Sequence, residues 1–188
     1  MGLPQEEQFF TYADYKEWEL AEGERYELIY GKAYAMLTPN LRHQDVLGSI
    51  TTQFYNFLRG KPIKVILGPI VVRLFYAEDD SDDTVVQPDM IVICDEKKRG
   101  PEGCRGAPDL VAEVLSPSNT AIEMERKFRL YRKAGVKEYW IIDPENNSLK
   151  VYLFQDNKIL TGSYENDDIV PVTTLPGLNI SLEQVFED

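Results

Sequence analysis

Glu113 constrains this chain more than any other residue. It stands inside Leu110-Val111-Ala112-Glu113-Val114-Leu115, a run that otherwise reads as a buried strand. Burying an unpaired carboxylate is costly, so the fold must supply a cation, a proton or a hydrogen-bonding partner at that point. Asp89 raises the same question more weakly. It opens the apolar run Asp89-Met90-Ile91-Val92-Ile93 just after Pro88, where a strand-end aspartate can also bond a turn.

The pattern along the 188 residues alternates helix and strand signals in one unbroken series, with no repeat or low-complexity linker. Residues 11–22 read as a short helix capped by Thr11. Tyr26–Met36 reads as a hairpin turning at Gly31. Thr38-Pro39 marks the start of a helix along which Val46, Leu47, Ile50, Phe54, Phe57 and Leu58 keep helical spacing, until Gly60 and Pro62 close it. Lys64–Leu74, broken at Gly68-Pro69, and Val85–Cys94 read as strand regions. A helix then runs from about Thr120 to Ala134 and ends at Gly135. Glu138–Asp143 and Leu149–Phe154 are further strands around the turn at Pro144 to Asn147. The expected class is α+β, close to α/β, with a mixed central β-sheet flanked by helices. One domain is expected over 1–188: a helix and hairpin at about 11–36, a core at about 38–155 and a C-terminal extension at about 156–188.

Composition narrows the function. Apolar residues are 43% and charged residues 28%, as in ordinary globular chains. No stretch approaches the ~18 apolar residues of a membrane span, and the first residues have neither the pattern of a signal peptide nor that of a myristoylation site. A cytoplasmic protein with no membrane partner and two reduced cysteines is expected. Lys plus Arg number 20 against 32 Asp plus Glu, a net charge of −12. Such a body repels polyanions, so any nucleic-acid role needs a local basic patch, a divalent metal, or both. The blocks Glu78 to Asp83, Lys97 to Arg99 and Arg126 to Lys133 each read, alone, as solvated surface. Phosphate-binding loops, nucleophile elbows and zinc-type Cys/His spacings are absent.

Taken together, several segments carry a resemblance. Tyr26-Glu27-Leu28-Ile29-Tyr30-Gly31, His43, Gln87-Pro88-Asp89-Met90-Ile91-Val92, the stretch Ala107 to Ser118 around Glu113, and Tyr131 to Pro144 occur in one order across nearly the whole chain. In this set the sequence resembles a large bacterial family of restriction-endonuclease-like proteins within the PD-(D/E)XK nuclease superfamily.

That resemblance implies a metal-dependent endonuclease, most naturally on DNA and as a homodimer, with Mg²⁺ or Mn²⁺ held by Asp89, Glu113 and the Val114 carbonyl. Where the superfamily's E-X-K lysine belongs, at 115, stands Leu115; the resemblance implies a replacement, Lys127, from the following helix. Glu27 is either a further acidic member or a surface strand residue, and His43 a hydrogen-bonding group or a substrate contact. Met124, Phe128 and Tyr131 share the apolar face of the helix, with Lys127 on its flank. Arg126, Arg129 and Lys133 point away, as solvent-facing or weak nucleic-acid contacts. On this arrangement Lys127→Ala should stop cleavage and leave folding nearly unchanged. The rival reading is a nuclease fold without catalysis, serving as a binding or assembly module; an acidic metal surface at 78–83 is a third.

Overall fold

The computed structural model describes residues 8–187 except 118 and 157. In chain order the elements are α1 (Tyr12–Tyr15), β1 (Arg25–Ile29), β2 (Lys32–Met36), α2 (Leu41–Leu58), β3 (Lys64–Leu67), β4 (Val72–Arg73), β5 (Val85–Val86) and β6 (Met90–Ile93). A 3₁₀ turn at Glu96–Lys98 leads into β7 (Arg99–Gly100), β8 (Gly103–Arg105), β9 (Leu110–Val114), α3 (Ala121–Ala134) and β10 (Glu138–Asp143). The chain closes with β11 (Ser148–Gln155), β12 (Lys158–Glu165), β13 (Ile169–Pro171), β14 (Asn179–Ser181) and α4 (Leu182–Phe186).

The α+β class holds, but the strands form two mixed six-stranded sheets and a small ribbon rather than one central sheet. Their orders are β2-β1-β5-β4-β8-β7, β12-β11-β10-β9-β6-β3 and β13-β14. Two strand regions, Lys64–Leu74 and Val85–Cys94, are each divided between the two sheets. The first breaks after Gly68-Pro69 and the second at Gln87-Pro88-Asp89. Proline cannot donate to a ladder, which favours a crossing at those points. The two crossings touch: Gly68 donates its N–H to the Asp89 carbonyl at 2.7 Å. A Cβ on Gly68 would meet the Pro88 carbonyl oxygen at 2.8 Å, so this position requires glycine.

At its centre, in β6, β9 and β10, the second sheet is buried on both faces. Met90, Val92, Leu110, Ala112, Val114 and Trp140 pack against the stripe Val46, Leu47, Ile50 and Phe54 of α2. Ile91, Ile93, Val111 and Tyr139 alternate onto the other face, against the first sheet and Leu130 and Tyr131 of α3. This double burial explains the near-continuous apolar runs of β6 and β9. The C-terminal extension belongs to the same core: Val170, Leu175, Ile180, Leu182 and Val185 join the α2 cluster.

Several local details differ from the sequence expectation. Helix 11–22 shrinks to Tyr12–Tyr15, beyond which Trp18 packs its ring against Phe10, Tyr15 and Tyr26; the Tyr12 and Ala13 N–H groups, unpaired in the first turn of any helix, donate to the carbonyls of Asp82 and Asp80. The cap of α2 is Asn40, whose side chain accepts from the His43 N–H, two residues beyond Thr38. The hairpin turns on Tyr30 (φ 50°) and Gly31 (φ 76°), both left-handed. Thr120 caps α3 and Gly135 ends it in the left-handed conformation. Within the acidic block, buried Arg73 is paired with Asp80 and Asp82, and Lys16 with Asp80. No described helix is long and apolar enough to cross a membrane.

Candidate active site

Antiparallel pairing fixes the first two carboxylates. β6 and β9 pair with Met90 opposite Ala112 and Ile91 opposite Val111, so one further step sets Asp89 opposite Glu113 on a shared face. The Val114 N–H donates to Asp89 Oδ2 at 2.8 Å, tying the strand start to β9. From α2, His43 brings Nε2 within 3.3 Å of the same oxygen. Its Nδ1 is buried with no hydrogen-bond partner.

Glu27 comes from the first sheet. It is buried, not a surface strand residue, and its Oε1 accepts from the Gln87 N–H at 3.0 Å. The Lys127 ammonium lies 3.2 Å from that oxygen and 3.0 Å from Glu113 Oε1. Tyr131, one helical turn further on, donates its hydroxyl to Glu113 Oε1 at 2.6 Å. Two strands, one from each sheet, and α3 therefore converge on one buried ammonium.

The helix lies rotated from the sequence expectation. Lys127, Leu130 and Tyr131 are its buried residues, while Met124 and Phe128 are only half-buried. Lys127 is thus central to the packed face, 5% exposed, rather than on its flank. Arg126 does not point away either. It is half-buried, lines the cleft and sets its guanidinium 3.9 Å from the centre of the Tyr34 ring. Arg129 is exposed and paired with Glu125 at 2.7 Å, and Lys133 is exposed over the Tyr30 and Phe75 rings.

These groups surround a cleft of about 310 Å³, which Asp89, Glu113, Lys127, Glu27, His43 and Arg126 all line. Three carboxylates there face one ammonium. Burial pushes the Glu113 carboxyl well above the usual range; the Lys127 charge opposes this, and the charges of Asp89 and Glu27 add to it. Lys127 is held charged by Glu113 and Glu27 against the cost of burial. Asp89 Oδ1 and Glu113 Oε2 have no hydrogen-bond partner among the described residues, whereas Oδ2 and Oε1 are spent on the contacts above. No group of three or more His, Cys, Asp or Glu side chains forms a ready metal cluster among the described residues.

The sequence did not single out Tyr131 as the partner of Glu113, or Gln87 as the partner of Glu27. Tyr131 shares a helix face with Lys127 at i+4, a spacing that could have shown it; nothing local marks Gln87. Asp109 and Asp143 serve structure, as strand-end aspartates beside proline usually do. Asp109 accepts from the Cys94 N–H and from Lys137, and Asp143 from the N–H groups of Glu145 and Asn146.

Fold and site together define an α+β protein of the restriction-endonuclease-like class. The chain belongs to the Uma2 family, described as "Putative restriction endonuclease", whose family model matches residues 12–183. A crystal structure of a putative nuclease belonging to DUF820 from Anabaena variabilis ATCC 29413 shares the fold, with a TM-score of 0.74 at 22% identity, over 94% of this chain and 97% of that one. An uncharacterized protein of Synechocystis sp. (strain ATCC 27184 / PCC 6803 / Kazusa), slr1290, is 25% identical over 175 residues, 92% of this chain and 89% of its own.

Proposed function

We propose that the protein is a metal-dependent endonuclease hydrolysing phosphodiester bonds in DNA. The observation that carries this reading is the position of Lys127: its ammonium stands 3.0 Å from Glu113, across the strand pair from Asp89, although the residue two places after Glu113 is Leu115. A lysine from α3 thereby fills the role of the missing E-X-K lysine.

The donor set suits a hard divalent cation. Asp89 Oδ1 and Glu113 Oε2 are free carboxylate oxygens on one face, in a site with surplus negative charge, and two protein ligands leave room for water and phosphate oxygens. A Mg²⁺ or Mn²⁺ held there would lower the pKa of a bound water and offset charge on the phosphate. The chain's own groups do the rest. Glu27 and Glu113 fix the Lys127 ammonium, which can orient the attacking water or neutralise charge growing on a non-bridging oxygen. The Val114 N–H and His43 hold the orientation of Asp89, and Arg126, braced on Tyr34, supplies positive charge to an otherwise acidic body.

The test is a titration of Mg²⁺ and of Mn²⁺ with DNA, comparing wild type with Asp89→Asn. Cleavage that requires the metal and falls by two orders of magnitude or more in the variant is expected. Identical behaviour of both proteins would leave the fold as a non-catalytic module.

A further inference from the structure

A second hollow of about 650 Å³ adjoins the cleft and shares Ile122 and Arg126 with it. Its far wall is Tyr30, whose backbone is left-handed at φ 50°. A ring-bearing residue is strained there, and Asn or Gly would make the same turn more easily. Tyr30 is 40% exposed as a residue, its ring lies nearly parallel to that of Phe75 with centres 6.2 Å apart, and Lys133 Nζ lies 4.7 Å from the ring centre. Ile122, in the first turn of α3, is 80% exposed on the ridge between the two hollows. Arg126 reaches the same ridge with its Nε buried and without a hydrogen-bond partner. The carboxylates close by are engaged: Glu125 by Arg129, and Asp83 by the Thr84 hydroxyl.

A part-exposed aromatic side chain, an exposed aliphatic side chain and cations spaced along one path suit a strand whose bases are unstacked. Every base has a face to stack on, and each linkage carries a phosphate to neutralise. A duplex offers base edges in its grooves, not faces, so it would leave Tyr30 unused. Resting on the nuclease reading, we propose that this hollow continues the catalytic cleft and holds an unpaired stretch of DNA strand. Tyr30 stacks on a base, Ile122 abuts the base at the ridge, and Arg126 and Lys133 neutralise the phosphates on either side. The preferred substrate is then DNA with a single-stranded segment beside the cut.

The experiment measures binding of a short labelled single-stranded DNA and of the blunt duplex of the same sequence, by fluorescence anisotropy in EDTA. Wild type should bind the single strand more tightly. Tyr30→Asn, which keeps the turn and removes the ring, and Lys133→Ala should each weaken that binding roughly ten-fold. Lys158→Ala, on the outer strand β12, should not change it. Equal single-strand affinity of wild type and Tyr30→Asn overturns the proposal, as does tighter binding of the blunt duplex. Cleavage of a tailed duplex by wild type with Mg²⁺ is followed in parallel. Cleavage without Tyr30-dependent binding sinks the strand path and leaves the nuclease reading standing. Tyr30-dependent binding with no cleavage under Mg²⁺ or Mn²⁺ counts against the nuclease reading itself.

Discussion

Lys127 Nζ lies 3.0 Å from Glu113 Oε1, both side chains being buried at the floor of the cleft. Glu27, from the other sheet, holds the same ammonium at 3.2 Å. A buried ion group of this kind adds little net stability when complete, because desolvation offsets attraction, but removing its lone cation exposes the full cost.

Lys127→Met keeps most of the stem volume and deletes the charge. Glu27 and Glu113 are then left as uncompensated buried carboxylates, so the change should cost about 3–5 kcal/mol in urea denaturation and stop DNA cleavage at temperatures where the variant is folded. This replaces the sequence expectation that Lys127→Ala would leave folding nearly unchanged, which assumed a lysine on the flank of α3. Unchanged stability would mean that the ammonium is not committed to the pair.

Glu113→Gln acts in the opposite sense. Lys127 retains Glu27, the Tyr131 hydroxyl retains an oxygen to bond, and one of three crowded carboxylates disappears. The metal-free stability should change by less than about 1 kcal/mol, while affinity for Mn²⁺, measured by calorimetry, should fall at least ten-fold. A large drop in metal-free melting temperature would mark Glu113 as a structural anchor instead.

Much of this site was legible because its carboxylates break an apolar pattern. Glu113 interrupts β9 and Asp89 follows Pro88, and those interruptions stand out in one sequence. The lysine is legible through the resemblance and its place on the helix, but its angle is not: tertiary packing turns α3 so that Lys127 and Leu130 face inward and Arg126 lines the cleft. The division of the strands into two sheets was not legible at all. Periodicity reports which faces are buried but not which partner a strand chooses, and the crossings at Gly68-Pro69 and Pro88-Asp89 look like ordinary strand interruptions. The short strands β7 and β8 and the packed C-terminal segment lack strong periodic signals for the same reason.

Glu138, a charged residue at a strand start, is fully buried. Its carboxylate accepts from Trp140 Nε1 at 2.8 Å and from the Thr174 N–H at 2.7 Å, so it fastens the segment leading to β14 onto β10. Glu138→Ala orphans an indole N–H and a backbone N–H together, at about 1–3 kcal/mol each when buried. The variant should lose about 2–6 kcal/mol, with amide exchange accelerating first over residues 170–186. Uniform acceleration across both sheets would argue that Glu138 is not a local fastening.

Asp109 sets the response to acid. Burial raises its carboxyl pKa, but the Lys137 ammonium at 2.7 Å and the Cys94 N–H outweigh that and hold it below the ordinary 3.8. A carboxyl with a depressed folded pKa binds protons more readily in the unfolded chain. It therefore contributes stability that is fully present above 3.8 and lost as pH falls through the lower folded value. Asp109→Asn cannot bind that proton in either state, so it should be less stable than wild type at pH 7, with the difference closing as pH drops below 3.8. Melting curves of the two proteins over the acid range measure this convergence. A gap that stays constant with pH would show that Asp109 acts through its hydrogen-bonding shape and not through its charge.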